Sequence, residues 1–183
     1  MGLPSVKGEL ANSAVASGCS ASGARRARLQ DRDGHVVLLQ LICCAGGLLG
    51  DDADGHILKL QAQREGLDCT RLVTLPGCRT TFTDAFASEE TGRRTHLYYP
   101  GTSGLLTPDH FQFEGSRARI LHLGLPGLHE QMDKPWNGDP SGWVTVLKGA
   151  RAAGIKTNLE MCSLPAPRLL EVVSPCLCYL DYL

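Results

Sequence analysis

One glycine-rich acidic segment, residues 47–55, carries the side chains best suited to chemistry, and its sequence is GLLGDDADG. Glycines let the backbone turn sharply, and a helix that begins after such a turn presents N–H groups that bind phosphate. However, the spacing is not that of a dinucleotide-binding turn, no Gly-Lys-Ser/Thr follows, and two aspartates would repel a phosphate. The residues alone leave two interpretations open: a ligand-binding turn, or a tight strand-to-helix connection with an acidic helix cap.

Cysteine and histidine are the usual ligands of transition metals, and the chain has eight cysteines and six histidines. Their spacing is not that of a metal site. There is no Cys-x-x-Cys pair, and neither Cys43-Cys44 nor Cys176-x-Cys178 matches a zinc knuckle. The N-terminus does not resemble an export signal, so a disulfide framework is not expected. The sequence therefore predicts free thiols and no metal.

Composition restricts the class of protein further. The 183 residues carry a net charge of −1 and are 43% hydrophobic, which indicates a folded domain and excludes a strongly basic nucleic-acid binder. The longest apolar run, residues 36–49, is shorter than the roughly 20 residues that span a bilayer. We expect a cytoplasmic protein that binds neither nucleic acid nor membrane.

The elements that must position the acidic segment follow from apolar patterning. Residues 35–44 predict a strand buried in a parallel sheet, and a helix should follow the acidic segment and end at Gly66. Alternation in residues 79–87 and 95–99 predicts an antiparallel hairpin. Residues 17–35 combine small residues with four arginines and predict a disordered insertion.

From residue 118 onward, strands and helices alternate. We expect strands at residues 119–123 and 155–160, a helix capped by Ser141, and a short helix at residues 167–173. Strand–helix alternation of this kind implies an α/β fold with a mostly parallel sheet and flanking helices. A last strand should begin at residues 180–183, which predicts that the chain is a piece of a larger α/β protein.

An ordered series of segments resembles the PfkB/ribokinase-like carbohydrate kinases. Residues 46–72 resemble the segment after an early strand of that family, and residues 79–86 and 90–111 resemble its hairpin lid. Residues 119–127, 152–161 and 175–183 resemble the strands that follow. More weakly, Gly8 to Asn12 resembles a degraded Gly-Gly-x-x-x-Asn sugar-binding signature.

The resemblance implies an incomplete ribokinase-like domain over residues 1–183, with a β-hairpin lid over residues 71–100. It implies transfer of the γ-phosphate of ATP to a sugar hydroxyl, with Mg²⁺ as a further cofactor. It also implies that a homodimer could form through the lid. The residues it places at the sugar are Gly8, Asn12, Gly50, Asp51, Asp52 and Tyr98.

Departures from the family pattern leave alternatives open. The catalytic aspartate and the anion hole are expected beyond the C-terminus, and Gly124-Leu125-Pro126 stands where a sugar-binding glutamate is usual. Asp51 and Asp52 could instead cap a helix, and Tyr98 could pack within the hairpin or a dimer. Glu160 could line the nucleotide side or be a solvated acid. Besides a truncated kinase, a non-catalytic sugar-binding or interaction fragment and an unrelated nucleotide-binding α/β protein remain possible.

Overall fold

The computed structural model describes residues 24–30 and 36–183, and it describes side chains from residue 43 onward. The strands are β1 (Ala24–Gln30), β2 (Val36–Ile42), β3 (Cys44–Gly50), β4 (Asp68–Leu75), β5 (Phe82–Ala87), β6 (Arg94–Tyr99), β7 (Ile120–Leu123) and β8 (Lys156–Leu159). The α-helices are α1 (Ala53–Arg64), α2 (Gly142–Ala152) and α3 (Ala166–Val173). No helix in these described ranges is long and apolar enough to cross a membrane.

The N-terminal strands differ from the sequence-based expectation. β1 and β2 form an antiparallel pair in which Ala24 lies opposite Ile42 and Gln30 opposite Val36. Residues 24–30 are therefore a strand, although 17–35 was predicted to be disordered, and the predicted strand at 35–44 is not part of a parallel sheet. Strand pairing uses backbone groups, so the arginine-rich segment can pair with an apolar strand without an apolar period of its own. Residues 17–23 and 31–35, together with Gly8 and Asn12, lie outside the described residues.

The strand that leads into the acidic segment is β3. It runs parallel to β4, with Gly46 opposite Arg71 and Gly50 opposite Leu75. The glycines expected to form a turn thus lie inside a strand, and the connection to α1 shortens to two aspartates. The helix itself is confirmed, and Gly66 follows its end with a φ of +74°. Since β4 extends to Leu75, the predicted lid boundary at residue 71 falls inside the parallel pair.

The hairpin is formed by β5 and β6. The strands are antiparallel, with Phe82 opposite Tyr99 and Ala87 opposite Arg94. The paired aromatic rings stack with their centroids 5.2 Å apart. This confirms the small antiparallel sheet, which occupies residues 82–99.

A second parallel unit consists of β7, α2 and β8. Ser141 caps α2 by accepting a hydrogen bond from the Val144 N–H, as predicted. The expected final strand is reduced to one parallel bridge between Asn158 and Tyr182. Before it, Ser174–Tyr179 forms a 3₁₀ helix that the apolar pattern did not indicate.

The main core lies between the two parallel pairs. Leu48 of β3 belongs to the same buried cluster as Leu121 and Leu123 of β7 and Trp143 of α2. Hydrogen bonding nevertheless links the described strands only in pairs, β3 with β4 and β7 with β8. The mixed α/β fold is therefore confirmed, and its parallel ladders are joined by side-chain packing.

Two polar side chains are built into this core. Trp143 is fully buried, and its Nε1–H donates to Asp133 Oδ1 at 2.7 Å. His129 is 1% exposed and packs edge-on against the Trp143 ring, with its Nδ1 3.0 Å from the Ser103 carbonyl oxygen. Its Nε2 has no hydrogen-bond partner among residues 43–183. Burial lowers the pKa of His129, although the Ser103 carbonyl and the Asp133 charge oppose that effect.

Because His129 is buried, we expect the folded protein to lose stability in acid. The unfolded chain takes up a proton near pH 6.5, whereas the folded chain resists it, so the free energy of unfolding should fall as pH drops below about 6.5. The slope should reach at most about 1.4 kcal/mol per pH unit for this one group. Urea unfolding between pH 7.5 and 5 measures it. His129→Gln should flatten the slope relative to the exposed-site control His56→Gln, and equal slopes in both variants would contradict this account.

Candidate functional site

The candidate site lies at the carboxyl ends of β3 and β4. Asp51 and Asp52 follow β3 directly, and residues 76–81 connect β4 to the hairpin beside them. Ligands of parallel α/β sheets bind at this edge, because the loops that follow the strands converge there. Of the residues predicted to bind sugar, Gly50, Asp51 and Asp52 lie at this edge.

Asp52 is held by three hydrogen bonds from the protein. One carboxylate oxygen, Oδ1, accepts hydrogen bonds from the Gly55 N–H at 2.9 Å and the Thr80 hydroxyl at 2.5 Å, and Oδ2 accepts from the Thr80 N–H at 2.8 Å. Desolvation acts to raise the pKa of Asp52, but the hydrogen bonds from Thr80 and Gly55 together outweigh it and hold the pKa below its usual value. Asp52 is the N-cap of α1, so the helix-capping alternative describes its role.

Gly50 completes this corner. Its N–H donates to the Thr80 hydroxyl at 2.9 Å, and a Cβ at this position would lie 2.4 Å from the Cys78 carbonyl oxygen. Only glycine therefore allows the connecting segment to approach β3 this closely. We call Gly50, Asp52, Gly55 and Thr80 the Asp52 corner. Gly50 is buried in it, which gives this predicted site residue a packing role.

Asp51 differs from its neighbour. Its Oδ2 accepts one hydrogen bond, from the Gly77 N–H at 2.9 Å, and the residue is exposed. A carboxylate has about four acceptor positions, so most of the capacity of Asp51 faces solvent. Of the two adjacent aspartates, Asp51 is the one that can accept hydrogen bonds from a ligand.

Tyr98 connects the hairpin to the body of the protein. Its hydroxyl donates to the Leu128 carbonyl oxygen at 2.9 Å and shares a 2.6 Å hydrogen bond with the Ser103 hydroxyl. Partial burial raises the pKa of this phenol. Because adjacent strand residues face opposite ways, Tyr99 lies on the other face of the hairpin, with Phe82. Tyr98 therefore positions the hairpin over the loop that follows β7.

The structure also places residues at this edge that sequence reasoning missed. Thr80 organises the Asp52 corner, and Thr102, fully buried, donates from its hydroxyl to the Leu48 carbonyl oxygen at 2.9 Å. The Arg79 guanidinium lies 5.1 Å from the Phe82 ring centroid and 5.5 Å from that of Tyr99. The only sequence signal for them was their position next to the hairpin strands.

A cleft of about 270 Å³ opens beside this edge. Its floor includes Leu48 and Leu49 of β3, and one wall includes Leu58 of α1. Thr80 and Ser103 line it as well, so it adjoins the Asp52 corner through Thr80.

A separate polar cluster lies on the exposed face of β7 and β8. His122 Nε2 is 3.0 Å from Glu160 Oε2, and His122 Nδ1 is 2.8 Å from Asn158 Oδ1. The side chains of His122 and Glu160 are 50% and 59% exposed. Glu160 is thus an exposed acid that forms a hydrogen bond with His122 at the surface.

Among the residues that the structure describes, no group of three or more His, Cys, Asp or Glu side chains could hold a metal ion. The N-termini of α1 and α2 are already capped by Asp52 and Ser141, so neither presents an open set of N–H groups to a phosphate.

Solved structures of sugar kinases share this fold. The chain is similar to the fructokinase with bound ATP from Xylella fastidiosa, with a TM-score of 0.54 and 18% identity over 88% of this chain and 57% of that one. It is also similar to the 2-dehydro-3-deoxygluconokinase from Thermotoga maritima, with a TM-score of 0.60 and 15% identity over 87% of this chain and 56% of that one. A putative ribokinase II from E. coli, in complex with ATP and Mg²⁺, gives a TM-score of 0.59 and 17% identity over 78% of this chain and 46% of that one.

These similarities define the fold and its extent. The chain spans about half the length of the sugar kinases that it matches. No protein-family model matches the sequence, and no curated protein matches it. The resemblance to the PfkB/ribokinase-like kinases is confirmed by the structural similarity, and the chain has the ribokinase-like fold over about half of such a protein.

The two aspartates should respond differently to substitution. Asp52→Ala removes a helix cap and the partner of Thr80, and it should lower the free energy of unfolding by about 2 kcal/mol. Asp51→Ala, at an exposed position, should change it by less than about 0.5 kcal/mol. Urea unfolding followed by circular dichroism compares them, and losses of equal size would show that the Asp52 corner does not stabilise the fold.

Proposed function

We propose that this chain forms the sugar-binding half and hairpin lid of an ATP-dependent carbohydrate kinase of the PfkB/ribokinase type. The observation that carries the proposal is the exposed carboxylate of Asp51 at the carboxyl edge of the parallel sheet, where it accepts a hydrogen bond from Gly77 in the segment that leads to the hairpin. The similar solved structures are sugar kinases, which supports a sugar as the ligand.

Each residue at the edge would have a distinct role. Asp51 would accept hydrogen bonds from sugar hydroxyls, and Tyr98 would hold the hairpin over the sugar through its bonds to Leu128 and Ser103. The Asp52 corner would fix the backbone that carries Asp51. Gly8 and Asn12 remain proposed sugar contacts on sequence grounds alone. Binding of this kind contributes to catalysis by fixing the orientation of the reacting hydroxyl.

Transfer of the γ-phosphate also needs ATP and Mg²⁺, which neutralise and orient the phosphates. Since the chain spans about half the length of the sugar kinases that it matches, we propose that nucleotide binding and the catalytic aspartate belong to a part of the kinase outside residues 43–183.

We therefore expect this chain to bind a sugar without phosphorylating it. Calorimetry with a panel of hexoses and pentoses should detect a sugar ligand, and Asp51→Asn should weaken it by about tenfold or more, because a charged acceptor is lost. Asp54→Asn, which changes another acidic residue nearby in α1, is the matched control. A coupled ADP-release assay on the same chain should show no sugar-dependent turnover. The absence of any sugar ligand would contradict the proposed function, and turnover near 1 per second would contradict its division into two parts.

The proposed homodimer concerns the outward face of the hairpin. Phe86, Leu97 and Tyr99 share one face and are 46%, 58% and 40% exposed. Exposed apolar faces of this kind promote association. We propose that two copies pair through this face.

Replacement of one apolar side chain tests this pairing. Leu97→Lys should move the chain from dimer to monomer in sedimentation velocity at micromolar concentration, because a lysine in the interface would have to be desolvated. Leu177→Lys, at an exposed apolar position far along the chain, is the control and should leave the dimer intact. A wild-type chain that sediments as a monomer would rule out the dimer.

A further inference from the structure

The cleft beside β3 is large enough to hold a small molecule. Its volume of about 270 Å³ exceeds the roughly 150 Å³ of an apolar cavity that binds benzene. Leucines from β3, β4 and α1 line it, namely Leu48, Leu49, Leu72 and Leu58. A charged group buried against these leucines would lose its hydration, so an occupant of the cleft must be uncharged and mostly apolar.

Three hydroxyl groups in the wall of the cleft are already used by the protein. The Thr80 hydroxyl belongs to the Asp52 corner, where it both accepts and donates. The Thr81 hydroxyl accepts from the Ser103 N–H at 2.8 Å and donates to the Pro100 carbonyl oxygen at 2.6 Å. The Ser103 hydroxyl donates to the same oxygen at 2.7 Å. Each hydroxyl thus spends its one hydrogen within the protein, and none of the three can donate to a ligand.

His129, in contrast, supplies an acceptor that the protein leaves unused. The residue lines the cleft and is 1% exposed. Its Nδ1 lies 3.0 Å from the Ser103 carbonyl oxygen, which can only accept, so Nδ1 carries the hydrogen. Burial lowers the pKa of His129, so the ring is neutral near pH 7 and Nε2 is an acceptor. Among the buried side-chain nitrogen and oxygen atoms of residues 43–183, Nε2 is the one without a hydrogen-bond partner.

We propose that the cleft beside β3 binds a small, uncharged and largely apolar molecule that donates one hydrogen bond to His129 Nε2 from a hydroxyl or a ring N–H. The leucines would exclude water from its apolar body, and the nitrogen would select the donor. Asp51 does not line this cleft, so the inference does not depend on the proposed sugar contact. The alternative is that one buried water donates to Nε2, in which case no ligand is needed.

Indole and benzofuran test the need for a donor, because they have nearly the same shape and differ in one ring position, an N–H against an oxygen. Both can be titrated into the ¹⁵N-labelled intact chain at pH 7.5 and followed by NMR. Indole should bind about tenfold more tightly than benzofuran, because only indole satisfies the buried acceptor. The ¹⁵N resonance of His129 Nε2 should shift with indole, and with phenol as a hydroxyl donor, but not with benzofuran.

Variants of the cleft wall locate the binding. His129→Leu removes the acceptor and keeps the wall apolar, so it should bind indole and benzofuran with equal affinity. Leu58→Trp fills the cleft from a half-buried position of α1 and should weaken both ligands at least about tenfold, which keeps the test open if His129→Leu does not fold. Ile57→Trp is the matched control, since its 46% exposed side chain is next in the same helix, and it should bind as wild type.

The outcomes distinguish a ligand site from a hydrated histidine. Equal affinity of wild type for indole and benzofuran, or binding of indole without a shift of Nε2, overturns the proposal. If none of the three probes binds at millimolar concentration, a buried water is the partner of Nε2 and the proposal is wrong. Binding that survives Leu58→Trp also contradicts it, because the ligand then lies elsewhere. Asp51→Asn should leave indole binding unchanged, so this site and the proposed sugar contact can fail independently.

Discussion

The carboxylate of Asp52 is the contact on which the functional edge depends. It caps α1, and through Thr80 it holds the segment that connects the parallel sheet to the hairpin. Charge-assisted hydrogen bonds to backbone N–H groups are about twice as strong as neutral ones, and here one side chain makes two of them. The helix, the sheet and the segment leading to the hairpin thus meet at the Asp52 carboxylate, which fixes the backbone next to Asp51 and Arg79.

Close approach of backbones makes that contact possible. A Cβ on Gly55 would lie 2.3 Å from the Gly50 carbonyl oxygen, and a Cβ on Gly50 would lie 2.4 Å from that of Cys78. The glycines of the acidic segment therefore serve packing at the end of β3, whereas phosphate-binding glycine turns expose their N–H groups to a ligand. Two threonine hydroxyls satisfy backbone groups at the end of β3. The Thr80 hydroxyl accepts from the Gly50 N–H, and the Thr102 hydroxyl donates to the Leu48 carbonyl oxygen.

The features of the fold that have a short-range cause in the sequence were predicted correctly. The Ser141 cap, the Gly66 stop and the alternation in β5 and β6 each have a short-range cause, and each is present in the structure. The position of β3 was missed because an apolar run gives no signal for where one strand ends and the next begins. β1 was missed because its partner, rather than its own pattern, determines its pairing.

Prediction of the site was limited by a different physical fact. Asp51 and Asp52 are identical in type and adjacent in sequence, yet one is exposed and the other is held by three donors from Gly55 and Thr80. The difference arises from Thr80, which lies 28 residues away in the chain, so no local pattern could separate a capping aspartate from an available one. The same contact sets Arg79 next to the edge, and its aromatic support comes from two strands that pair only after the hairpin has formed. Residues that form the Asp52 corner and residues that are exposed to solvent therefore alternate along residues 50–52 and 79–80.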